Sequence, residues 1–184
     1  MSKFYVFFAN GFEEIEAIAP VDILRRAGAE VVTTSIDQPV VTGAHGLQVC
    51  HPNDLTTLNI TPDDWIVLPG GMPGASNLRG CAWLTEKLLT HAAEGGHIAA
   101  ICASPAVVLA SIGLLRGVNA VCYPGFEPQM LEGGANVVDA GVVVDNNITT
   151  AAGPGYAIDF GLSIVEQAFG EAVADKVAAD MLLQ

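Results

Sequence analysis

The residues best placed to do chemistry lie between His97 and Gly113. Ile98, Ala99, Ala100 and Ile101 read as a buried strand that runs into Cys102 and then, with no loop, into a helical pattern carrying Val107, Val108, Leu109 and Ile112. So tight a turn leaves one residue to absorb the change of direction, and that residue is a cysteine. Ser104 suits the N-cap and Pro105 the first helical position, which predicts a helix beginning just past Cys102 with its amino end aimed at the sulfur. Unpaired N–H groups and the positive end of the dipole would lower the thiol pKa and make a nucleophile at neutral pH, the thiol counterpart of a serine elbow. The competing reading is an inert thiol, since free cysteine is among the most buried residue types and an apolar strand end commonly hosts one.

Two further stretches could serve such a thiol. Glu13, Glu14 and Glu16 open a helical pattern from Phe12 to Ala27, and the first two are explained as charges complementing the helix dipole. Glu16 lies a turn further in, beside Ala17, Ile18 and Ala19, where a carboxyl turned inward has a raised pKa and can exchange protons near neutrality. The strand pattern Trp65 to Leu68 ends in Pro69-Gly70-Gly71-Met72-Pro73-Gly74, a turn whose backbone N–H groups can approach a ligand closely. It lacks the Gly-Lys-Ser/Thr ending of a phosphate loop, and a plain strand-to-helix connection explains the glycines equally. Gly153 and Gly155 form a second such turn without a dinucleotide fingerprint. His97 starts the strand that ends at Cys102, roughly 16 Å away by strand rise, so it is no partner for the sulfur. His91 reads as a solvated group near the end of a helix from Trp83 to Glu94.

The elements that must position these residues alternate. Phe4 to Ala9 is a strand apolar on both faces, Glu30 to Ile36 a β-branched one, Val40-Val41 and Leu47 to Cys50 a hairpin, and Pro52 to Asp64 loops around a short helix at most. Val118 to Tyr123, Asn136 to Val138, Gly141 to Val144 and Ile148 to Thr150 read as short strands. Tyr156 to Phe169 and Glu171 to Leu183 read as helices, and Pro20 should kink or divide the first helix. This order predicts an α/β fold with a mostly parallel sheet and helices on both faces, one domain over residues 1–184, and a site at the carboxyl ends of the strands. A net charge of −13, from 7 Lys and Arg against 20 Asp and Glu, argues against nucleic acid and anionic membranes as partners. No export signal or transmembrane run is evident. The scattered Cys50, Cys81, Cys102 and Cys122, with no CxxC pair, predict reduced thiols in a cytoplasmic protein and no structural metal.

Gly11-Phe12-Glu13-Glu14-Ile15-Glu16, the run Pro20 to Gly28, Leu68-Pro69-Gly70-Gly71 with Asn77-Leu78, Ile98 to Ala103, and Gly153-Pro154-Gly155 together resemble the DJ-1/ThiJ/PfpI family, its DJ-1-like branch most closely. The resemblance implies a flavodoxin-like three-layer sandwich, a homodimer, and a cysteine on a strained nucleophile elbow. It also implies a protonated Glu16 hydrogen-bonded to the Cys102 sulfur, and an oxyanion hole made by the N–H groups of Gly71 and Ala103, with Gly70 and Tyr123 at the substrate. Tyr123 is a departure, because many relatives place a histidine before that proline, and a phenol is a poor base near neutrality. Ala152 stands where some relatives have arginine. Cys50 resembles a secondary cysteine of the dimer interface and reads as a packing thiol.

The resemblance carries two functional expectations. One is a cofactor-independent glyoxalase or protein deglycase acting on small dicarbonyls or glycated protein, with Cys102 as nucleophile and Glu16 moving protons. The other is a redox sensor or chaperone, in relatives sometimes labelled a thiamine-thiazole biosynthesis protein, whose Cys102 oxidises to sulfinate without turnover. A flavodoxin-like ligand-binding module is the third possibility, since fold alone does not fix function.

Overall fold

Apolar runs flanked by glycine turns become strands buried on both faces. The computed structural model describes residues 2–36, 38–51 and 55–183; the loop expected to begin at Pro52 therefore opens outside the described residues. The elements, in order, are β1 (Lys3–Phe8), α1 (Glu14–Arg26), β2 (Glu30–Ser35), β3 (Val40–Thr42), β4 (Gln48–Cys50), β5 (Trp65–Leu68), α2 (Gly74–Gly80), α3 (Ala82–Ala93) and β6 (His97–Ile101). Then come β7 (Asn119–Ala120), α4 (Glu127–Glu132), β8 (Asn136–Val137), β9 (Val142–Asp145), β10 (Ile148–Ala151), α5 (Ala157–Phe169) and α6 (Glu171–Asp180).

The main sheet has the order β2-β1-β5-β6-β10-β9, parallel throughout except for β9, which runs antiparallel to β10 at one edge. Successive side chains of β1 alternate between two cores. Phe4, Val6 and Phe8 pack with Ala17, Val21 and Leu24 of α1 and Phe160 and Ile164 of α5. Tyr5 and Phe7 pack on the other face with Leu84 and Leu88 of α3 and Val108 and Leu109 beyond the elbow. The result is the flavodoxin-like sandwich. Because β2 lies on one side of β1 and β5 on the other, the chain reverses its winding at the carboxyl ends of β1 and β5, where a crevice opens in folds of this kind.

Several expectations are corrected. Pro20 neither ends nor divides α1, which continues to Arg26 with Pro20 buried inside it. The pattern after Cys102 is a short π-helical turn, Pro105–Leu109, followed by a 3-10 turn, Ala110–Ile112, in place of a regular helix. Val118 to Tyr123 contributes only the two residues of β7, and α6 stops at Asp180. His91 is buried, with Nε2 3.2 Å from the His97 carbonyl oxygen, because α3 lays its last turn on the strand it feeds. Among the described residues no helix is long and apolar enough to cross a membrane.

Ile66 sits fully buried in β5, level with Tyr5 of β1 and Ile98 of β6. Ile66→Ala should lower unfolding free energy by about 2–5 kcal/mol in urea titration; a loss below about 1 kcal/mol would show that the sheet centre is less tightly packed than described.

Candidate active site

The site grows from four strand ends. Beyond β6, Cys102 adopts φ 66, a left-handed conformation that costs a non-glycine residue about 1–3 kcal/mol and persists only when its surroundings fix it. Two hydrogen bonds do so here: the Cys102 N–H donates to the Ala151 carbonyl at 2.8 Å, and the Tyr123 N–H donates to the Cys102 carbonyl at 2.8 Å. Beyond β1, Gly11 takes φ 84, its N–H bonded to the Thr42 carbonyl and its carbonyl accepting from Gly74. That turn sets the start of α1. Glu13 caps the helix, its Oε2 accepting the Glu16 N–H at 2.8 Å, and the inward stripe of α1 carries Glu16 into full burial.

Glu16 and Cys102 meet across Gly70. The Gly70 N–H donates to Glu16 Oε2 at 2.9 Å, and the Glu13 N–H donates to the Gly70 carbonyl at 3.0 Å. A Cβ on Gly70 would stand 2.6 Å from the Cys102 Cβ and 2.6 Å from Glu16 Oε2, so only glycine fits between acid and thiol. Gly71, at φ 86, turns its N–H toward the sulfur, as Ala103 does. Glu16 Oε1 is buried without a hydrogen bond of full geometry, while carboxyl and thiol still perturb each other's proton affinity.

Burial pushes the Glu16 carboxyl up to about 7, with the charge of Glu13 adding to it and the Cys102 thiol and Gly70 N–H pulling against it. The raised carboxyl expected at this position is present. The thiol departs from expectation: burial pushes Cys102 up to about 12, reinforced by the negative Glu16 and opposed by the Gly71 and Ala103 N–H groups. The reason is that the sulfur, in a residue 8% exposed, faces a carboxylate and a single abbreviated helical turn, so desolvation and like charge outweigh the backbone dipoles. An anionic Glu16 therefore holds the thiol proton in place, and a neutral Glu16 removes that repulsion. Near neutrality the pair therefore passes between no charge and one negative charge, carried by the carboxyl.

Tyr123 comes to the same edge, 44% exposed, its ring lying over Gly153, where a Cβ would stand 3.0 Å from Cδ2. Asn10-Gly11, Gly70-Gly71, Cys102, Tyr123 and Gly153 are thus brought together as expected, whereas His97 stacks on Trp65 with ring centroids 4.2 Å apart at the far end of β6. Three contributions were not read from the sequence. Ser104 stands at the expected N-cap position with Pro105 after it, but its side chain does not cap: its backbone is helical, it is fully buried, and its hydroxyl donates to the Pro69 carbonyl at 2.6 Å. Glu13 is tied to the Gly70 turn. Glu14 accepts from the N–H groups of His45 and Leu47 and pairs with His45 Nδ1 at 2.9 Å, clasping the β3–β4 turn to α1. Glu13, Glu14 and His45 bring three metal-type ligand atoms within 4.8 Å of one another, though Glu14 is already committed to that clasp. Cys50 is exposed on β4, so packing within one chain does not account for it.

The model of the DJ-1/PfpI family matches residues 2–167. The chain belongs to the DJ-1/PfpI family. It is 37% identical over 177 residues to DJ-1 homolog A of Arabidopsis thaliana, covering 96% of this chain and 45% of that protein. The chain thus spans about half the length of the Arabidopsis relatives it matches. A glutathione-independent glyoxalase of Caenorhabditis elegans is 37% identical, covering 84% of this chain and 81% of its own. A deglycase of Pyrococcus abyssi is 37% identical, covering 80% and 87%. Among solved structures, oxidized DJ-1 of Toxoplasma gondii superposes with a TM-score of 0.92 at 43% identity, covering 99% of this chain and 98% of that one.

A carboxyl whose folded pKa lies above its unfolded one keeps its proton after the unfolded chain has lost it, so Glu16 costs stability as pH climbs from 4.5 to about 7. Glu16→Gln removes that cost. Urea titrations should show the variant gaining on the parent through this range, by on the order of 3 kcal/mol at pH 8; a difference independent of pH would refute the raised carboxyl.

Proposed function

We propose that this protein is a cysteine-dependent, cofactor-independent enzyme acting on small reactive dicarbonyls, free or as adducts on protein amines, of the glyoxalase and deglycase type. One observation carries the reading: an acid and a thiol face each other across a glycine, with two backbone N–H groups turned to the sulfur. That the C. elegans and P. abyssi relatives are named a glyoxalase and a deglycase supports turnover over a purely redox-sensing role.

With its thiol pushed up, Cys102 is activated by its neighbour at the moment of attack, without prior ionisation. As the sulfur bonds to the aldehyde carbon of methylglyoxal, the thiol proton passes to the Glu16 carboxylate. The carbonyl oxygen receives the electron pair against the N–H groups of Gly71 and Ala103, and then takes the proton from Glu16. Glu16 next removes the hydrogen of the former aldehyde carbon, the adjacent carbonyl oxygen and then its carbon are protonated, and the hydroxyl on the sulfur-bearing carbon gives up its proton as the thioester carbonyl forms. One carbon is oxidised by two electrons and its neighbour reduced by two, so no outside redox partner is required. Water then cleaves the thioester, releasing lactate and the thiol. On an adduct, the amine leaves as sulfur takes its place on the same carbon. Tyr123, a poor base, leaves the proton transfers to Glu16 and water.

The same reading takes the protein as a single-domain cytoplasmic homodimer that needs neither nucleic acid nor membrane. The exposed apolar side chains Ile15 and Ile18 of α1 and Val40 and Leu47 of the adjoining hairpin region support a second copy as partner.

Methylglyoxal loss without glutathione should fall at least about 1,000-fold in kcat for Cys102→Ser and roughly 100-fold or more for Glu16→Gln. Parent-like turnover by Cys102→Ser would end the proposal.

A further inference from the structure

Two turns deliver the groups that face the Cys102 sulfur, and they leave the sheet from neighbouring strands. The β5–β6 ladder pairs Leu68 with Ala100, and beyond that pair the strands part. One runs through Pro69 to Gly71, the other through Cys102 to Ala103. Past the ladder, the separation of the Gly71 and Ala103 N–H groups has to be set by something else.

The hydroxyl of Ser104 crosses this gap. It donates to the Pro69 carbonyl at 2.6 Å, in a residue with no exposed surface, and joins the residue after Ala103 to the residue before Gly70. Every neighbouring peptide group has its own anchor: the Gly70 N–H on Glu16, the Gly70 carbonyl on the Glu13 N–H, the Gly71 carbonyl on the Ala75 N–H, and the Ala103 carbonyl on the Val107 N–H. The Pro69 carbonyl is satisfied by a side chain from the opposite turn. Because the elbow holds Cys102 at φ 66, a slack at this point would be free to relax the strained residue.

We propose that Ser104 is a positioning residue: by tying the Pro69 carbonyl to the elbow, its hydroxyl fixes the spacing of the two N–H groups that face the Cys102 sulfur. It touches neither sulfur nor substrate. The role rests on Cys102 being the reacting atom, and it makes a serine after Ala103 part of the machinery of the site where the sequence pattern offers only a helix cap. Ser104→Ala deletes the donor with almost no change of volume and strands a buried carbonyl. The N–H pair should then spread and hold both the thiolate and the developing oxyanion less well.

The test is the rate of Cys102 alkylation by iodoacetamide near neutral pH, where the rate follows the small thiolate fraction, read on the Cys102 peptide by mass after labelling of the folded protein, beside methylglyoxal turnover and Tm. Ser104→Ala should slow Cys102 alkylation roughly 10-fold and lower kcat roughly 10- to 100-fold with KM changed less than about 3-fold. Ser104→Thr, which keeps the hydroxyl, should restore the parent rate. A Ser104→Ala alkylation rate and kcat within about 2-fold of the parent would overturn the proposal, as would a fall in Tm with the alkylation rate unmoved, which marks a merely structural bond. Should the parent itself turn over no methylglyoxal, the proposed function fails while the alkylation rate still decides the role of Ser104.

Discussion

The structure turns on the absence of a side chain at Gly70. Acid and thiol stand on either side of that residue at distances where a single methyl group would overlap both. The backbone there is also in use, its N–H on the carboxyl of Glu16 and its carbonyl on the N–H of Glu13. Everything else serves to bring three strand ends to this point. Strands β1, β5 and β6 lie side by side in parallel, so their carboxyl ends emerge together, and the reversal of winding between β1 and β5 opens the space the two side chains occupy.

This economy has an energetic side. A buried carboxyl pushed up to about 7 and a left-handed cysteine are both costs to the folded state, and neither is offset locally. The offset lies in the two cores, where fully buried Phe4, Phe7, Phe8, Ile66, Leu84 and Leu88 clamp the strands that carry the site. A rigid sheet is what allows a strained elbow to persist, and the exposed loops take little part in it.

The strands were legible because a parallel sheet buried on both faces writes continuous apolar runs, as in FYVFFA, WIVL and IAAI. Glu16 was legible for a related reason, being the one acid of its cluster flanked by apolar neighbours. Other features left no such trace. Whether a thiol is acidified depends on the balance of desolvation, a neighbouring charge and a few N–H groups, and the helix after Cys102 proved too short and too irregular to tip it. Ser104 has the residue type and spacing of a cap, and only the coordinates reveal that it turns instead to a carbonyl on another strand. His91 continues the Leu84–Leu88 stripe of α3 at helical spacing, so its burial was written in the periodicity and was masked by its polar residue type.

The near-complete enclosure of Cys102 has a chemical corollary. A sulfur in a residue 8% exposed admits a reagent only along a narrow approach, which acts as a sieve on its reactions. Small reagents, hydrogen peroxide among them, meet that restriction most easily. A bulkier partner, a protein-borne adduct included, has to present its reacting atom on a slender arm. Cys50, exposed on the single chain, lies opposite Val40 in the hairpin that the proposed dimer would cover, so a second copy would give it the shelter that the elbow gives Cys102.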